Sequence, residues 1–161
     1  MPQEPEKEQS TTLAWLAIGG LILFTLVGYV AATGLLRQVF PVASFLVGVF
    51  LYMRYPALYI GYTWWIWFLI AIIRRLIDYK SGWVDPSPIL LAPFLVTLLT
   101  GVTFIRYLPK ASRMGGLPFV MAIFAVFYAF LVGLVNYQPL IVFRTMLDWI
   151  SPLFFGFHLF V

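Results

Sequence analysis

Long uncharged apolar runs alternate with short polar clusters along this chain. The first run, Leu13 to Leu36, continues for 24 residues without a charge, and about 20 apolar residues in helix cross the hydrocarbon core of a bilayer. It predicts a membrane helix over 13–36. A second run after Arg37 predicts a shorter span over 38–53. Arg54-Tyr55-Pro56 then reads as a tight turn, because proline disfavours helical backbone in the residue before it and suits the first turn of a new helix. The third run, 56–73, closes on Arg74-Arg75, so runs two and three should form a hairpin with almost no loop.

Asp78 to Ser87 is the first extended polar loop. Ser87 is placed to cap the next helix, with Pro88 at its first position. The fourth span is predicted over 88–105, with backbone loosened near its start by Pro93. Spans five and six are predicted over 117–135 and 145–161. The expected fold class is therefore all-α, a polytopic transmembrane helix bundle of about six membrane segments. The sixth run stops inside apolar sequence, "FGFHLFV", after 17 residues, which suggests a fragment of a larger bundle. Residues 1–12 are acidic and polar, lack the basic start of a signal peptide, and are expected to be a disordered tail.

Composition sharpens the membrane reading. The chain is 63% hydrophobic and only 10% charged, whereas a soluble domain carries roughly a quarter charged residues. The runs are continuous and not alternating, which excludes the dyad pattern of a β-barrel strand. The net charge of +4 does not point to nucleic acid, because beyond Thr12 the basic residues sit singly or in pairs at the ends of apolar runs, where they orient a membrane protein. With no cysteine and one histidine, disulfides, thiolate chemistry and a bis-His haem pair are all excluded. No P-loop, dinucleotide fingerprint, HExxH or nucleophile elbow is present. Neither a metal nor a cofactor is expected, and no residue is assigned as catalytic.

Candidate chemistry is concentrated near Arg74, Arg75, Asp78 and Lys80. On a continuing helix either arginine would reach Asp78, at i+4 or i+3. The plain reading is an interfacial anchor, with basic side chains snorkelling beside Trp64, Trp65, Trp67 and Trp83. The functional reading is recognition of a diphosphate, which guanidinium groups bind bidentately. Tyr55, Tyr59 and Tyr62 share a helical face and are candidates for stacking on sugar rings, against a packing role. His158 is expected to be an imidazole hydrogen-bonded between helices. Arg106, Lys110 and Arg113 form a loop suited to topology or anionic lipid, and Arg144 with Asp148 reads as a surface pair. Gly28 and Ala32 provide one small-xxx-small spacing for close helix approach. With six spans the basic residues divide five against five between the two sides, so charge alone does not set the orientation.

The stretches "LYMRYPALYIGYTWWIWFL", "RRLIDYKSGW" and "SPILLAPFLVTLL", continued by "GLPF" at 116–119 and the final "SPLFFGFHLF", resemble the N-terminal part of Wzy-like bacterial O-antigen or exopolysaccharide polymerases, in the O-antigen ligase/polymerase superfamily. The resemblance runs from about Phe40 to the end. It implies an integral protein of the bacterial cytoplasmic membrane that handles undecaprenyl-diphosphate-linked glycans among membrane lipids. It further implies an internal N-terminus, with loop 78–87 outside and loop 106–116 in the cytoplasm. Proteins of that superfamily are longer, and their essential arginines and large external loop lie in the later half, so this chain alone is expected to be inactive. Two other readings stand beside it: a small non-catalytic membrane scaffold or subunit, and a transporter fragment.

Overall fold

A computed structural model describes residues 4–161, with side chains from Thr11 onward. Of the tail expected to be disordered over 1–12, residues 1–3 lie outside the described residues, and the backbone from Glu4 onward belongs to the first helix instead. Among the described residues there is no strand, and the chain is all-α. Its helices are α1 (Glu4–Ala31), α2 (Thr33–Arg54), α3 (Pro56–Ser81), α4 (Leu91–Leu98), α5 (Thr100–Tyr107), α6 (Leu117–Asn136) and α7 (Pro139–Phe160), with 3-10 turns at Pro88–Leu90 and Leu108–Lys110. Six segments are long and apolar enough to cross a membrane: Thr11–Ala31, Thr33–Arg54, Pro56–Ser81, Pro88–Lys110, Leu117–Asn136 and Pro139–Phe160.

The number of spans agrees with the hydropathy pattern, and several boundaries do not. The first reversal falls at Ala32, inside the uncharged run, and not at Arg37. Ala32 alone joins α1 to α2, with φ −154° and ψ 64°, and Tyr55 alone joins α2 to α3 in nearly the same conformation, φ −140° and ψ 66°. Both are one-residue connectors, but only the second carries a proline signal. Gly28 leaves room for the Leu36 side chain across the first reversal, since a Cβ there would stand 2.9 Å from Leu36 Cδ1. Helix α3 also continues eight residues beyond the expected stop at 73, so Arg74 and Arg75 lie within a helix and not at its end. At about 1.5 Å per residue, this 26-residue helix exceeds the roughly 30 Å hydrocarbon core, and its last two turns hold the polar residues.

The chain divides into two compact units, Met1–Val96 and Thr97–Val161. In the first, α2 packs on both α1 and α3, and the turn Pro88–Leu90 packs on α2 and α3. Tyr59 and Tyr62 are buried in its core; Tyr59 donates its hydroxyl to the Val96 carbonyl at 2.6 Å and Tyr62 to the Ser44 carbonyl at 2.9 Å. In the second unit, α7 packs on α5 and α6 around Phe104, Ala111, Ile123 and Phe157. Glycines receive aromatic edges there: a Cβ at Gly101 would meet the Phe154 ring at 3.2 Å, at Gly116 the Phe157 ring at 3.0 Å, and at Gly156 the Phe119 ring at 3.0 Å.

The fourth span is interrupted twice. Its 3-10 opening precedes Pro93, whose ring nitrogen cannot donate to the Ile89 carbonyl. A turn at Leu99 then separates α4 from α5, where Thr100 Oγ1 donates to the Thr97 carbonyl at 2.6 Å. Ser87 does not serve as the expected side-chain cap: it makes no capping bond, and its buried hydroxyl has no hydrogen-bond partner.

Candidate functional site: a basic cluster at the end of helix α3

The polar end of α3 gathers side chains from three helices. Arg37, near the start of α2, is buried, and its Nη2 donates to Asp78 Oδ1 at 2.8 Å, Ser81 Oγ at 2.9 Å and the Gly82 carbonyl at 2.6 Å. Side-chain exposure of the Arg37–Asp78 pair is 8% and 7%, so this ion pair is shielded from water and is of the kind that is costly to break. Gly82 makes the third bond possible. Its φ of +84°, which L side chains rarely adopt, ends α3 while its N–H still donates to the Asp78 carbonyl at 2.9 Å and its own carbonyl faces Arg37.

Arg74 approaches Asp78 from within α3, as the i,i+4 spacing anticipates. Its Nε lies 3.4 Å from Asp78 Oδ2. That distance suits an ion pair, but the alignment is not that of a hydrogen bond, and neither atom has another hydrogen-bond partner. On its other side Arg74 Nη2 stands 3.8 Å from Asp85 Oδ1. The Trp83 ring lies 4.5 Å from the guanidinium carbon, within cation–π range. Arg75 is exposed and forms no ion pair among the described residues.

Lys80 completes the cluster in a different role. Its Nζ donates to the Tyr29 and Val30 carbonyls, both at 2.8 Å, and lies 5.1 Å from the Tyr29 ring centre. These carbonyls belong to the last turn of α1, which has no following helical donors of its own. Where water is scarce such groups must be satisfied by the protein, so Lys80 caps α1 from another helix. Thr33 Oγ1 adds a bond to the Tyr29 carbonyl at 3.0 Å.

The sequence reading found Arg74, Arg75, Asp78 and Lys80 but treated Arg37 only as a flanking charge. The missed signal is Pro41, which removes the helical donor to the Arg37 carbonyl and marks this turn of α2 as special. The sugar-stacking reading of the tyrosines needs correction. Tyr59 and Tyr62 are 0% and 2% exposed, with their hydroxyls bonded inside the unit, so neither ring face is open to a ligand. Tyr55 is half-buried with its ring edge-on to Phe50.

In the second unit, His158 Nδ1 pairs with Thr103 Oγ1 at 2.8 Å, joining α7 to α5 as an interhelical bond. Arg144 and Asp148 do not form the expected ion pair; both are exposed on α7. An apolar cleft of about 550 Å³ runs between α6 and α7, floored by Ala125, Ala129 and Gly133 and walled by Ile141, Met146 and Trp149. Among the described residues no three metal-ligating side chains come together.

Six apolar spans in an all-α chain define an integral membrane protein. Comparison with protein-family models, with curated proteins and with solved structures returns no match.

Proposed function

We propose that this chain is the membrane region of a polysaccharide polymerase or ligase-like glycosyltransferase, acting on undecaprenyl-diphosphate-linked glycans at the bacterial cytoplasmic membrane. The basic end of α3 contacts the carrier diphosphate through Arg74 and Arg75, with loop 78–87 on the outer face. The observation that supports this reading is the charge balance of the cluster. Among the described residues, Arg37, Arg74, Arg75 and Lys80 meet only two carboxylates, Asp78 and Asp85, and the surplus falls on the exposed Arg75 and on the mostly buried Arg74, whose side chain is 19% exposed. Arg37 and Lys80 are spent on structure; they hold the ends of α1, α2 and α3 together and so keep the two arginines in place.

A guanidinium fork binds phosphate oxygens bidentately and stays charged at any physiological pH. In glycan transfer from a diphosphate carrier the leaving group gains negative charge, and fixed cations beside it lower the barrier. The diphosphate of a membrane-embedded carrier sits at headgroup level, the level to which interfacial Trp and Arg side chains extend.

The test is glycan chain extension in the producing cell, with membrane insertion measured alongside. Arg75→Lys keeps the charge and loses the fork. It is expected to reduce extension about tenfold, since a charge-assisted contact contributes roughly 1.5–3 kcal/mol and 1.4 kcal/mol is a factor of ten. Arg113→Lys, on the loop assigned to the cytoplasm, should leave extension unchanged. Normal polymer length with lysine at both 74 and 75 would reduce the pair to a membrane anchor.

A further inference from the structure

Arg74 lies between two carboxylates of unequal commitment. Asp78 is buried and bound through Oδ1 to Arg37, so it cannot leave without stranding that guanidinium. Asp85 sits on the loop 82–87, its side chain 60% exposed, and its contact with Arg74 Nη2 is long at 3.8 Å. The loop is lightly held on this side. Trp83 is 71% exposed although its ring lies over Arg74, and the segment leaves α3 at Gly82, whose φ is positive. An exposed ion pair of this length contributes little to stability. A carboxylate and a phosphate group present the same oxygen edge to a guanidinium and, both being anions, repel one another at contact range, so the two compete for the Nη2 edge.

We propose that Asp85 is a built-in competitor for the phosphate site: it covers the Nη2 edge of Arg74 when no ligand is bound, and loop 82–87 withdraws it when a lipid-linked phosphate group arrives. This inference rests on the diphosphate reading above and adds its regulation. Arg37 makes the exchange selective. By neutralising Asp78 and tying it to Ser81 and Gly82, it fixes the inner carboxylate and leaves the outer one free to move. The resting contact also keeps stray anions off Arg74, because a ligand must displace Asp85 and bring enough additional contacts, such as the exposed Arg75, to do so.

The experiment measures binding of geranylgeranyl diphosphate, against geranylgeraniol, to the purified protein in nanodiscs. The expected result is that the parent prefers the diphosphate and that Asp85→Asn binds it about two- to fivefold more tightly, the range that corresponds to releasing an exposed ion pair. The gain should vanish when Asp85→Asn is combined with Arg74→Ala, since the edge under competition is then gone. Asp85 is exposed, so the substitution leaves the fold intact. A parent that prefers the diphosphate while Asp85→Asn binds it equally or less tightly overturns the competitor role and leaves the diphosphate reading standing. Equal binding of diphosphate and alcohol by both proteins overturns both. Binding that emerges only in Asp85→Asn supports both.

Discussion

Replacing Arg37 by alanine is the severest test of how the first unit is held together. The substitution strips Asp78 Oδ1, Ser81 Oγ and the Gly82 carbonyl of one shared donor and leaves the Asp78 carboxylate, 7% exposed, without its main counter-charge. Removing one member of a buried ion pair costs about 3–5 kcal/mol, because the remaining charge is uncompensated. For a chain of this size that corresponds to a fall in Tm of about 6–20 °C. Two companion variants separate the charge from the packing. All three bonds come from a single nitrogen, Nη2, which has only two protons for three acceptors. An ammonium has three protons, so Arg37→Lys should recover at least half of the loss. The double replacement Arg37→Leu with Asp78→Leu removes both charges together and should unfold within a few degrees of the parent, because apolar isosteres replace buried pairs at little net cost. Thermal unfolding in a mild detergent, followed by circular dichroism, provides the readout. A Tm for Arg37→Ala within about 2 °C of the parent, or a double variant as unstable as the single one, would refute the claim that this pair locks α2 to α3.

Other predictions follow from the same geometry. Lys80→Met should strip the Tyr29 and Val30 carbonyls of their donor, at about 1–3 kcal/mol for charged hydrogen bonds, and should speed hydrogen exchange in peptides covering 29–37 while sparing those from α6; unchanged exchange would show that α1 is capped some other way. Gly133→Ala places a methyl 2.8 Å from Val142 Cγ1, a stiff neighbour, and should cost about 1–3 kcal/mol by overpacking; Gly19→Ala, with nothing within 4 Å, should not lower the Tm and should raise it slightly, since alanine is the better helix former. Tyr59→Phe removes the bond to the Val96 carbonyl and should lower stability by about 1 kcal/mol without altering glycan chain extension, whereas loss of extension at unchanged stability would point to a direct role for that hydroxyl.

The sequence by itself determined the all-α class, the existence of six spans, the Arg54-Tyr55-Pro56 turn and the crowding of charge near residues 74–80. Each of these is a local property: a run too apolar for water, a proline that forbids helix before it, or a polar cluster where a run ends. The tertiary structure decided where the first two helices part, because apolarity is equally high on both sides of Ala32 and the exposed carbonyls are satisfied by Lys80, some fifty residues away in the chain. It also decided which charges are structural. Arg37 and Arg74 have the same chemistry and both flank apolar runs, yet one is buried against Asp78, Ser81 and Gly82 while the other keeps an edge beside an exposed loop. The tyrosines show the same limit. Their helical spacing put Tyr55, Tyr59 and Tyr62 on one face, but only packing against neighbouring helices could turn that face inward and bond Tyr59 and Tyr62 to backbone carbonyls. Spacing reports which residues share a face, and burial depends on what that face meets.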